Sequence, residues 1–161
     1  MFDGGLAALV VVSALNFYVV DNTASLGTPV GEAVKDWNSG TIVNLTTENV
    51  CPSVGGTCII LSWDPDNICY TANPNAAPNS LGGCTDSLSK PCNILVEKDA
   101  PSKERKLIVE HEIGHCLQLE HNEDRDSLMY YAPTRSTPSQ KDKDKVNAYY
   151  ERVSTVRWPN N

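Results

Sequence analysis

Three histidines, His111, His115 and His121, are all the histidine in this 161-residue chain, and they fall within one short window. Neutral imidazole is the commonest protein ligand for zinc, and three imidazoles with a fourth position left open make a catalytic rather than a structural set. Residues four apart on an α-helix lie one above the other, so His111 and His115 can grip one ion. Glu112 is offset by about 100° and can reach a water on that ion without ligating it. His121 does not fit the same helix, because six residues past His115 is about 600° of rotation. For the third imidazole to join, the chain must leave the helix after about Leu117 or Gln118 and turn back.

The run His111-Glu112-Ile113-Gly114-His115-Cys116-Leu117-Gln118-Leu119-Glu120-His121 resembles the metzincin pattern H-E-x-x-H-x-x-G-x-x-H at every fixed position except one. Gln118 stands where that family has the glycine of the chain reversal. A Gln at positive φ costs on the order of 1–2 kcal/mol, which a tightly bound zinc can offset. Eight residues past His121 comes Met129, in Ser127-Leu128-Met129-Tyr130, which resembles the metzincin Met-turn at the short spacing of the matrixin branch.

The resemblance implies a fold and a site. The fold is α+β, a metzincin-like catalytic domain. It has a twisted mixed sheet of about five strands, an active-site helix, a Met-turn and a C-terminal helix. His111, His115 and His121 would hold one catalytic Zn2+, Glu112 would act as general base, and Met129 would form an apolar floor. Tyr131 stands two places after the Met, where a tyrosine of the astacin and serralysin branches reaches the zinc; matrixins usually have Pro there. It reads either as a donor to the developing oxyanion or as a pocket tyrosine. The resemblance also places the wall of the pocket on the loop Tyr130 to Pro138. Matrixins often carry a second, histidine-rich zinc site, for which this chain has no histidine to spare.

A formal net charge of −7 argues against nucleic acid or an anionic membrane as partner, since both need a basic surface. The expected partner is a polypeptide substrate, met by a monomer. The length is that of one domain, 1–161, with an upper subdomain of about 1–118 and a lower one of about 119–161. Six cysteines (Cys51, Cys58, Cys69, Cys84, Cys92 and Cys116) form an even set without paired C-x-x-C spacing. They read as disulfides, hence a secreted, extracellular or periplasmic protein. Their pairing stays open; for Cys116, beside His115, a staple to the middle segment is favoured over a buried free thiol.

Leu6 to Val20 is apolar but too short to span a bilayer. Val12-Ser13-Ala14 faintly resembles a signal cleavage site, yet Met1 to Gly5 holds no basic residue, so core helix or strand is the expected reading. No cysteine precedes Cys51, and a propeptide cysteine switch is not expected in this chain. Asn44-Leu45-Thr46 is a formal glycosylation sequon, with a plain strand as the simpler reading.

Leu15 to Asp21 reads as a strand. Thr28-Pro29 opens a helix whose stripe is Val30, Ala33, Val34 and Trp37, stopped by Asn38-Ser39-Gly40. Strands follow at Ile42 to Thr46 and Cys58 to Trp63. A loop-rich stretch from Asp64 to Pro91 hides a short strand near Leu81 to Thr85, an edge able to pair extended substrate. Cys92 to Glu97 is a further strand. The active-site helix is expected from about Lys103 to Leu117, capped by Asp99 or Ser102. Thr137-Pro138-Ser139-Gln140 reads as a capping box for a last helix with Val146, Tyr149, Tyr150 and Val153 inward. Lys141-Asp142-Lys143-Asp144-Lys145 reads as its exposed face. Glu123-Asp124-Arg125-Asp126 and Asp64-Pro65-Asp66-Asn67 could bind Ca2+, but solvated turns are the simpler reading.

Together these point to a secreted zinc endopeptidase. The rivals are a catalytically weak or inactive zinc-binding metzincin-fold module, and a site using Glu120 or a later Glu as third ligand.

Overall fold

Alternation of apolar and polar residues makes the first strand. In β1 (Leu15–Asp21), Phe17 and Val19 are buried while Tyr18 between them is half-buried. The computed structural model describes residues 15–65, 68–69, 82–87 and 90–155. After β1 come α1 (Gly27–Asn38), β2 (Val43–Glu48), β3 (Thr57–Asp64), β4 (Gly83–Asp86), β5 (Cys92–Glu97), α2 (Arg105–Cys116) and α3 (Gln140–Thr155). The apolar run Leu6 to Val20 therefore contributes its last residues to β1. Its start, with the Val12-Ser13-Ala14 reading, lies outside the described residues, as does Leu81.

The strands form one sheet in the order β2-β1-β3-β5-β4. The first four of these pair in parallel, and β4 runs antiparallel to β5 at the edge. Ile59, Leu61, Ile94 and Val96 are fully buried at the sheet centre, as expected where helices cover a parallel sheet. Helix α1 buries Val30, Ala33 and Trp37, and the Trp37 indole N–H donates to the Glu110 carbonyl of α2 at 3.0 Å. That bond fixes the depth at which the two helices meet.

Three disulfides complete the frame: Cys51–Cys58, Cys69–Cys84 and Cys92–Cys116. The last joins β5 to the final residue of α2, so Cys116 is a staple. Among the described residues no helix is long and apolar enough to cross a membrane.

Two expected caps are corrected. Helix α2 begins at Arg105 behind Glu104, with no side-chain cap; neither Asp99 nor Ser102 serves. Residues 101–104 form a separate turn closed by Glu104 N–H to Pro101 O at 2.8 Å, so helical bonding starts later. The box at α3 is Ser139 with Asp142. The Ser139 N–H and hydroxyl each donate to Asp142 Oδ2 at 2.8 Å, and the Asp142 N–H returns to Ser139 Oγ at 3.2 Å. Asp142 thus leaves the exposed face assigned to residues 141–145 and is fully buried. Val153, expected inward, is 52% exposed, because it sits in the last turns of α3 beyond the packing of Val146 and Tyr150.

Candidate metal centre

Helix α2 is buried around most of its circumference, from Ile108 through Gly114 to Cys116. His111 and His115, one turn apart, rise on the same face with ring centroids 4.9 Å apart. The helix then ends through a left-handed residue. Gln118 N–H donates to His115 O at 2.9 Å and Leu119 N–H to Gly114 O at 3.0 Å, the paired bonds of a Schellman closure. Gln118 occupies the left-handed position at φ 70°, and its side-chain amide donates to Ser87 O at 3.4 Å. This reversal brings His121 back over the helix.

His121 Nε2 lies 3.0 Å from His111 Nε2 and 3.2 Å from His115 Nε2. Among the described residues these three form the group whose ligand atoms converge as metal donors would. The donor chemistry tests the fit. His111 Nδ1 faces Leu128 O and His115 Nδ1 faces Leu119 O, both at 2.8 Å. A carbonyl only accepts, so each Nδ1 carries the hydrogen and each Nε2 presents a lone pair inward. With His121 Nε2 beside both, one cation among them would engage all three nitrogens. Tetrahedral zinc with Zn–N near 2.0–2.1 Å has N···N edges of about 3.3 Å, within a few tenths of the observed spacings. Burial also keeps the rings neutral: it pushes His111 down to about 4 against the Leu128 bond that raises it. His115 and His121 are lowered by the same cause. The residues fit zinc.

The floor is built from two separate segments. Met129 is 1% exposed, and a Cβ on Gly114 would collide with its Sδ and sit 3.1 Å from Trp37 Cζ2. Glycine inside the helix is therefore what lets the methionine turn seat beneath it. Asp142 of α3 holds that turn, accepting from Ser127 Oγ at 2.5 Å and Leu128 N–H at 2.9 Å. Burial opposes its charge, yet the bonds from Ser127, Ser139 and Leu128 hold its pKa below the usual carboxylate value.

Glu112 is buried and lines the same cavity as the three histidines. Burial raises it to about 7, opposed by a hydrogen bond from the Thr85 hydroxyl to Oε2. Thr85 belongs to β4, which packs closely on α2. A Cβ at Gly83 would lie 2.7 Å from Leu95 O and 3.0 Å from Ile108 Cγ2, and one at Gly82 would collide with the Ile108 side chain.

Tyr131 lines the cavity but is 66% exposed, and its hydroxyl accepts from Tyr130 at 2.7 Å. In the acidic turn, Asp124 pairs with Lys141 at 2.8 Å and accepts from Asp126 N–H at 3.1 Å. Its carboxylate is engaged as a turn and ion pair. Asp64 accepts from Ile68 and Cys69 N–H, both at 2.9 Å. Sequence reasoning missed Gly114, Thr85, Asp142 and Glu110. Ser139-x-x-Asp142 was the available signal for one of them. Glu110 has no exposed side-chain surface, and burial raises it to about 8 despite Lys106 at 3.0 Å, which also binds Asp36 at 2.8 Å.

A mixed five-stranded α+β sheet, an H-E-x-x-H helix and a converging histidine triad over a methionine turn define a zinc metallopeptidase. The Matrixin family model matches residues 61–151, more than half of the chain. The chain belongs to the matrixin family. Two solved structures of myroilysin resemble it in shape. One is 14% identical, with a TM-score of 0.49, over 92% of this chain and 94% of that one. The other is 16% identical, with a TM-score of 0.40, over 92% of this chain and 65% of that one. No curated protein matches the sequence.

Proposed function

We propose that this matrixin is a secreted endopeptidase that cleaves extended polypeptides, with His111, His115 and His121 as its zinc ligands and Glu112 as general base. The observation that carries this reading is the meeting of three Nε2 atoms, those of His111 and His115 turned inward as lone pairs, with the Glu112 carboxyl buried in the same cavity. Bound zinc supplies Lewis-acid polarisation of the scissile carbonyl and acidifies the attacking water. The chain's own residues do the rest. Glu112 takes the water's proton as its oxygen attacks the carbonyl carbon, then delivers that proton to the departing amine nitrogen. Tyr131, whose oxygen accepts from Tyr130, keeps its own proton to donate toward the oxyanion. Edge strand β4 offers backbone groups to a substrate strand. The cleft is read as the boundary between an upper subdomain to about 118 and a lower one from about 119. Three disulfides support an oxidising, extracellular setting.

The test is cleavage of a quenched-peptide library by the wild type, by Glu112→Ala and by chelated enzyme. Cleavage by wild type alone is expected. Negligible cleavage in every arm, with zinc shown to be bound, would replace this reading with an inactive zinc-binding module.

A further inference from the structure

We infer that Thr85 is a positioning residue for Glu112: its hydroxyl holds Oε2 and leaves Oε1 as the oxygen that receives and returns the proton. This deepens the proposed peptidase reading and rests on it. Strand alternation sets the geometry. Gly83 and Thr85 face α2, while Cys84 points to the other side and is bridged to Cys69 behind the strand. Antiparallel pairing of Thr85 with Ile94 of β5 fixes the height of the hydroxyl.

A carboxylate has two equivalent oxygens and a broad, two-fold terminal torsion. In solution either oxygen can take a proton. Glu112 is buried, and one fixed donor removes that equivalence. The Thr85 hydroxyl has a single proton to give. Its alternative acceptor, the Glu112 carbonyl oxygen, is 3.4 Å away, and a bond to the charged carboxylate is the stronger of the two. Glu112 is then held in one rotamer with Oε1 presented to the cavity. During the reaction the water O–H bond breaks and Oε1 gains the proton; the Oε1–H bond then breaks as the amine nitrogen is protonated. Thr85 keeps its own proton throughout.

The test compares zinc-loaded wild type, Thr85→Val, Thr85→Ser and Glu112→Gln. Zinc content should match in all four. Thr85→Val keeps the shape and removes the donor, so kcat should fall about 10–100-fold, a fraction of what general acid–base catalysis supplies, with KM within about twofold. Thr85→Ser should recover kcat to within about threefold. A second readout is the carboxyl resonance of Glu112 in protein carrying 13C-labelled glutamate, assigned by its loss in Glu112→Gln. It should stay single and narrow in wild type and the Ser variant, and move or broaden in the Val variant, with or without metal. Should Thr85→Val fail to fold, Thr85→Ala takes its place. An unchanged kcat, a Ser variant as impaired as Val, or an unmoved resonance each overturns the inference. If the wild type cleaves nothing while Glu112 still responds to Thr85→Val, the peptidase reading fails and the hydrogen bond stands.

Discussion

The Nδ1–H of His111 donates to the carbonyl oxygen of Leu128 at 2.8 Å, and the N–H of Leu128 donates to Asp142 at 2.9 Å. The imidazole on α2, the methionine turn and the first turn of α3 are thus joined in series. A ligand's outer nitrogen held in this way fixes the tautomer that a metal needs.

Asp142→Asn breaks the series at its far end and removes bonds to a charged acceptor, each worth roughly 1.5–3 kcal/mol. A loss of about 2–4 kcal/mol at pH 6 is expected. Hydrogen bonds from Ser127, Ser139 and Leu128 hold the folded pKa of Asp142 below the ordinary aspartate value. Its stabilisation is therefore complete above the unfolded aspartate value of about 3.9 and lost as pH falls through the lower folded value. Thermal melts from pH 6 to pH 2 should show the gap between wild type and variant closing below pH 4. A gap that stays constant across that range would remove the ionised Asp142 from this role.

Removing the third imidazole tests the triad against its rival. His121→Ala should lower zinc affinity by at least about 100-fold, whereas Glu120→Gln should leave it within about threefold. Competition against a chelator reads both, and the reverse ranking would make Glu120 the ligand.

Gln118 sits at φ 70°, where a residue with a Cβ is strained by about 1–2 kcal/mol. Gln118→Gly relieves that strain while losing the bond to Ser87 and loosening the unfolded chain. Its stability should stay within about 1 kcal/mol of wild type. Gln118→Ala keeps the strain and loses the bond, so denaturant midpoints should place it below the glycine variant. Equal midpoints would mean that the backbone there is relaxed.

Tyr131→Phe separates a hydrogen-bond donor from a wall. Loss of an oxyanion donor costs about 10²–10³ in kcat, and a drop of that order with little change in KM is expected. A kcat within about threefold of wild type would leave Tyr131 as part of the pocket wall only.

The Cys92–Cys116 bridge spans 24 residues, and closing a loop of that length contributes roughly 3.5 kcal/mol. Cys92→Ala with Cys116→Ala should lower stability by about that amount and weaken zinc retention, since Cys116 follows His115 directly. Unchanged melting would mean that packing alone secures the end of α2.

Much of this was legible in the residues. Period-two and period-3.6 patterns located the strands and helices to within a few positions, and histidine spacing required a reversal near Gln118. What stayed hidden depended on partners distant in sequence. Asp142 lies in an alternating charged run, and only its contact with Ser127 and Leu128 turns it inward. Thr85 lies in a loop-rich stretch, 27 positions from Glu112. The start of α2 was placed early because a turn through Pro101 imitates a cap.

Gly82 and Gly83 decide how closely the edge strand can seat. At Gly83 the nearest obstacle to a side chain is backbone, Leu95 O at 2.7 Å, which cannot swing aside. Any larger residue would push the edge strand off β5 and take the Thr85 hydroxyl with it. Two missing side chains thus set where the Thr85 hydroxyl meets the Glu112 carboxyl, and filling either would spoil that meeting without touching either residue.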